Sequence, residues 1–179
     1  MLTIQALNLR WIQGAPDDPL DQCAHGEMMI TVNGVELVTA KDGELTLSGA
    51  AFFLLRTLKS SHTATTSVTD GNHLLPCCAF NAWPAGEGGA LILLGCGVGI
   101  DFSVEHLADD QVRIARGVAA VTVEVAVWRA AVIQFARQID AFYASSTPKV
   151  EIDDAFDRKG WALFWAEWRA LIGKYADAA

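Results

Sequence analysis

The chain has 179 residues, 52% of them apolar, with a mean hydropathy of +0.27 and a net charge of −8. That length suits one domain over residues 1–179 with a sizeable core, and the apolar surplus implies a large core, a self-association surface, or both. The acidic balance argues against nucleic acid and anionic membranes as partners, because both select a basic face.

No apolar run reaches the roughly 18 residues that a membrane span needs. The segment from Met1 to Trp11 has neither a basic region nor a continuous apolar one, so no secretory signal is read and a cytoplasmic protein is expected. Four cysteines are too few for a disulfide scaffold in a chain of this length.

From the N-terminus, Leu7, Leu9 and Trp11 alternate with polar residues, which predicts a strand over 2–12 with that set on one buried face. A polar loop over 13–26 follows, with Gly14, Pro16, Pro19, Asp17, Asp18 and Asp21. Asn33-Gly34 separates two β-rich runs, 27–32 and 35–39, and predicts a type I′ hairpin. Lys41-Asp42-Gly43 marks a second turn before a short segment at 44–47. Ser48 is the expected N-cap of a heavily buried helix reaching about Leu58. The Ser/Thr-rich stretch from Ser60 to Asn72 reads as a long exposed loop.

Downstream, Ala90–Leu94 is apolar on both sides and reads as a central strand. It opens a four-strand meander with Val98–His106, Gln111–Arg116 and Ala119–Val125, turned at Gly95-Cys96-Gly97, Asp109-Asp110 and Gly117-Val118. Trp128, Val132, Phe135, Ile139 and Phe142 then form the stripe of an amphipathic helix that ends before Pro148. Trp161, Phe164, Trp165, Trp168, Ile172 and Tyr175 form the stripe of a last helix, capped by Asp153 or Asp154. Strands grouped first and helices last predict an α+β fold. The expected architecture is an antiparallel sheet of about six or seven strands, a hairpin plus the meander, packed by three helices, two of them C-terminal.

Reactive side chains concentrate between His73 and Trp83, where Cys77 and Cys78 are adjacent and His73 lies four positions upstream. A thiolate made by an imidazole needs such neighbours, so Cys77, Cys78 and His73 are the candidates for cysteine catalysis. Cys23 and His25, with Cys77 and Cys78, are the candidates for zinc ligation. Their spacing misses the paired pattern of structural zinc sites, and buried cysteine more often packs as a small hydrophobe. No G-x-S-x-G, C-x-x-C or H-E-x-x-H motif is present. Gly95-Cys-Gly-Val-Gly is followed by an alternating strand rather than a helix N-terminus, so it reads as a turn and not a phosphate cradle. The three Asp-Asp pairs fall in turns and caps.

The last helix adds Trp161, Trp165, Trp168 and Tyr175, whose residue types dominate binding hot spots. The expectation is therefore a non-catalytic cytoplasmic protein-binding module of immunity or antitoxin-like character, without a cofactor, engaging a basic protein partner through an acidic surface and aromatic anchors. Two alternatives stand beside it: a cysteine-dependent enzyme or metal site around His73, Cys77 and Cys78, and a structural homodimer that buries its own apolar surplus.

Overall fold

The computed structural model describes residues 1–12, 17–77, 81–86 and 89–176, so Cys78 lies outside the described residues. The fold is α+β: among the described residues there are antiparallel strands in several small sheets, three α-helices, two of them at the C-terminal end, and one contiguous cluster of buried apolar side chains.

The first sheet joins β1 (Leu2–Arg10), β2 (His25–Val32), β3 (Val35–Val38) and β4 (Leu45–Thr46). β1 and β2 pair from Leu2↔Val32 to Leu7↔Glu27, and pairing resumes only at Arg10↔His25. The irregularity holds Asn8 at a φ of 49°. A one-residue bulge exchanges the faces of a strand. Leu2, Ile4 and Ala6 therefore pack on the core before it, and Leu9 and Trp11 after it. The single buried face expected for Leu7, Leu9 and Trp11 is thus divided, because the period of two does not run through Asn8. Glu27 ties the bulge together, accepting from Asn8 Nδ2 at 3.0 Å and from Arg10 Nη2 at 2.7 Å. The β2–β3 turn is as expected, with Asn33 at φ 50° and Gly34 at φ 84°. The far edge of β1 is covered by a helix: the Ala6 N–H donates to Gln138 Oε1 at 3.0 Å.

The chain then forms a long hairpin in two sections. β5 (Leu75–Pro76) pairs with β8 (Gly99–Ile100), and β6 (Asn81–Ala85) pairs with β7 (Ala90–Leu94). Both ladders share one register, and the Cys77 N–H donating to the Val98 carbonyl at 3.1 Å extends the first of them. β7 thus turns back onto β6 instead of opening the expected meander. The meander has three strands, β9 (Ser103–His106), β10 (Gln111–Arg116) and β11 (Ala119–Glu124). Asp109 and Asp110, at φ 59° and 54°, make its first turn, and Val112 and Ile114 face the core.

α1 (Leu47–Thr57) buries every residue except Arg56, and Phe52, Phe53 and Leu54 have no exposed surface. Each such side chain contributes on the order of 2 to 3 kcal/mol of transfer free energy. The helix begins after Thr46, which places Ser48 inside the first turn and not at the cap. α2 (Val125–Ser145) and α3 (Ala155–Ala176) present the stripes read from their periodicity. Asp154 caps α3, accepting the N–H groups of Phe156 and Asp157 at 2.8 and 3.0 Å. Phe164 of α3 stacks on Phe52 of α1 with centroids 4.6 Å apart. Trp128 of α2 donates its indole N–H to the Thr57 hydroxyl at 3.1 Å. Among the described residues no helix is long and apolar enough to cross a membrane.

Candidate functional site

Cys23 and His25 sit where the first long loop enters β2. The loop is wound around one carboxylate: Asp21 Oδ2 accepts the Ile12 N–H at 2.7 Å, Oδ1 accepts the Cys23 N–H at 3.0 Å, and His25 Nε2 lies 3.3 Å from Oδ2. Burial pushes the Asp21 carboxyl up, but the bonds from His25 and the two amides outweigh it and hold the group below the usual carboxylate range. The Cys23 thiol is driven far above its ordinary range by burial and by the Asp21 charge, so it stays protonated at neutral pH. Tyr143 completes the arrangement by donating its hydroxyl to the Gln22 carbonyl at 2.7 Å and accepting the Ala24 N–H at 3.2 Å. These are the bonds of a pinned loop. Burial thus favours the thiol form of Cys23, which is the less nucleophilic one.

His73 and Cys77 belong to the long hairpin, with Cys78 outside the described residues. Thr46 stands between the two cysteine regions. Its backbone pairs with His25, and its hydroxyl donates to the Cys77 carbonyl at 3.4 Å. The carboxylate near His73 is Asp101, and His62 takes it. His62 Nε2 is 3.0 Å from Asp101 Oδ1, while its Nδ1 accepts the Val68 N–H at 3.3 Å. An accepting Nδ1 places the proton on Nε2, so both nitrogens of His62 are committed to holding the 60–72 segment. His73 Nδ1 is buried without a hydrogen-bond partner. Among the described residues no three His, Cys, Asp or Glu side chains are grouped to hold a metal ion.

The segment from Gly95 to Gly99 is followed by β8, so no helix N–H groups converge on it. A Cβ at Gly99 would meet the Leu75 carbonyl oxygen at 2.5 Å, which explains that glycine by the closeness of the paired strand. The stretch from Ser60 to Asn72 is tied down by its own polar groups. Asp70 Oδ2 accepts the Leu93 N–H at 3.0 Å, Asn72 Oδ1 accepts the Gly95 N–H at 2.6 Å, and Asn72 Nδ2 donates to the Leu93 carbonyl. Two side chains thus occupy the β7 edge where a further strand would pair.

Of the four aromatic candidates on α3, Trp161 and Trp168 are core residues. They pack around Phe164, with centroid distances of 5.2 and 5.8 Å, because the stripe faces α1 and the hairpin. Trp165 and Tyr175 are half-buried. A concavity of about 640 Å³ opens beside α3, lined by Arg56, Lys59 and Lys174 among others, and Arg56 is held there by a two-pronged pair with Glu167 at 2.8 and 3.0 Å and by Asp70 at 3.3 Å.

Exposed apolar surface lies elsewhere. In the β6–β7 ladder, Ala82 and Leu93 face inward as one cross-strand pair and Pro84 and Leu91 as another. The intervening pairs, Asn81 with Leu94, Trp83 with Ile92 and Ala85 with Ala90, face outward. The apolar character of β7 on both sides was visible in the sequence. It marks an uncovered face and not a central strand. Asn81 also lines a groove of about 370 Å³ with Ile12, Leu20, Trp161, Asp18 and Asp21. Leu20 and Ile12 are 73% and 49% exposed there. Comparisons of the chain with protein-family models, with curated proteins and with solved structures returned no match.

Proposed function

We propose that the protein is a non-catalytic, cytoplasmic protein-binding module that docks a basic protein partner through the outer face of the β6–β7 hairpin. The observation that carries this reading is continuity. Asn81 belongs both to the outward row of the hairpin, beside Trp83, Ile92 and Leu94, and to the groove walled by Ile12 and Leu20. Adjacent exposed apolar groups of this kind mark interaction sites more often than scattered ones do. A tryptophan at the centre of such a row supplies contact area at low entropic cost. With a net charge of −8 the chain attracts a basic partner over long range, and the apolar row then sets how long the complex lasts. Occlusion of a bound protein, as in an immunity or antitoxin-like role, needs nothing more than this surface.

The test is paired capture of native partners with the wild-type chain and with Ile92→Glu and Leu94→Glu, both folded by circular dichroism. A basic protein recovered in stoichiometric amount by the wild type and lost with either variant supports the reading. Recovery that is indifferent to both substitutions removes the hairpin as the docking face. Light scattering over a dilution series identifies the case in which the partner is a second copy of the chain.

A further inference from the structure

We infer that the groove beside Asn81 receives a long basic side chain, arginine or lysine, from the protein partner. The inference deepens the docking reading above and rests on it. The groove's lining combines apolar side chains, Ile12, Leu20 and Trp161, with the polar Asp18, Asp21, Gln22 and Asn81, and Cys23. An arginine or lysine side chain has that same division, an apolar stem with a charged head, and it gains from both parts at once. Asp18 Oδ1 accepts the N–H groups of Leu20 and Asp21 at 2.9 and 3.4 Å, and among the described residues no donor reaches Oδ2.

The charge balance favours the same occupant. Asp17, Asp18 and Asp21 surround the Lys149 ammonium, and two of them, Asp18 and Asp21, also line the groove. The chain itself shows how such a cation is seated. Lys149 Nζ rests 2.9 Å from the Trp11 ring centroid while donating to the Asp18 carbonyl at 2.6 Å, so an aromatic face and an acidic loop already hold one basic side chain next to the groove. The shared residue, Asn81, places the groove at the end of the outward hairpin row, within one partner footprint.

The experiment uses the full chain and three small probes, the N-acetyl amides of arginine, lysine and norleucine, at equal ionic strength. The Trp161 indole N–H is followed by NMR, with its signal identified by Trp161→Phe. Saturable shifts with the arginine or lysine probe are expected. Asp18→Asn keeps an acceptor for its two amides and should weaken binding about tenfold, and Leu20→Ser should weaken it several-fold. Shifts that never saturate, equal shifts with the norleucine probe, or affinity unchanged in Asp18→Asn would each overturn the inference. Ile92→Glu separates it from the docking reading. If partner capture depends on Ile92 and no probe binds, the groove inference fails alone. If the charged probes bind and no partner depends on Ile92, the hairpin reading fails alone.

Discussion

Gly160 of α3 lies directly on the backbone of Ala82 in β6: a Cβ built on Gly160 would sit 1.8 Å from the Ala82 carbonyl oxygen and 2.5 Å from its carbon. Both obstructing atoms are main chain, so no side chain can turn away to make room. Gly160→Ala should therefore lift the helix from the hairpin and destabilise the protein by about 3 kcal/mol, the upper end of overpacking costs. The gain of about 1 kcal/mol in helix propensity does not offset this. Gly173, in the same helix, has nothing within 4 Å of its own Cβ position. Gly173→Ala should be neutral or stabilising by up to about 1 kcal/mol. The urea unfolding midpoint should fall in Gly160→Ala and hold or rise in Gly173→Ala, and equal loss in both would show that the contact with Ala82 is not what requires the first glycine.

Thr57 is the last residue of α1 and joins three elements. Its hydroxyl accepts the Trp128 indole N–H at 3.1 Å and donates to the Leu54 carbonyl at 2.6 Å, while its own carbonyl accepts from His106 Nε2 at 2.7 Å. Thr57 and Trp128 have no exposed surface. Thr57→Val preserves the shape but leaves the indole N–H buried without an acceptor, which costs about 1 to 3 kcal/mol. Thermal unfolding should report a loss in that range. Thr57→Ser, which keeps the hydroxyl, should recover most of it apart from the methyl packing.

The local rules were legible wherever one short segment decides the outcome. Asn33-Gly34 and Asp109-Asp110 are turns because side-chain size and φ preference act within a few residues, and Asp154 is a cap for the same reason. The stripes of Trp128 to Phe142 and of Trp161 to Tyr175 were legible because one buried face imposes a helical period. What escaped was set at long range. Nothing near Asn8 announces that Glu27 will hold a bulge there. The apolar strand Ala90–Leu94 is consistent with two neighbours or one, and only pairing with β6 decides. His62 was hidden in a run of serines and threonines, since its bond to Asp101 spans 39 residues of chain. The same limit applies to the groove, which joins Ile12 and Leu20 of the first loop to Asn81 and Trp161 from two distant parts of the sequence.

Thiol chemistry should sort the cysteines by burial. Burial and the Asp21 charge keep the Cys23 thiol protonated, whereas Cys77 is only half-buried. Reaction with iodoacetamide at pH 8 depends on the accessible thiolate. In the native protein Cys77 should be modified and Cys23 should not, and denaturation should bring Cys23 to the rate of an ordinary thiol. Mass spectrometry of peptides over a time course reads this directly. Fast native labelling of Cys23 would mean that the loop around Asp21 opens readily.

That loop also sets an acid limit on stability. The Asp21 carboxyl is held below its usual range by His25 and the amides of Cys23 and Ile12, against the opposing effect of burial. A depressed folded-state value means that the ionised form is the better bound. Its stabilisation is complete above the unfolded-state pKa, near ~3.9, and is lost as pH falls through the lower folded value. Hydrogen bonds to a charged group are worth about 1.5 to 3 kcal/mol, and the Asp21 side chain is 9% exposed, so solvent screens little of this. Asp21→Asn should therefore cost about 2 kcal/mol at pH 7, with the deficit narrowing below about pH 4 as the wild-type carboxylate takes up its proton. Unfolding midpoints measured from pH 7 to pH 2.5 should show the two curves converging at the acid end. Parallel curves would mean that the Asp21 charge contributes nothing beyond the shape of its side chain, and the loop would then be held by its other bonds, those of Tyr143, Lys149 and Asp18.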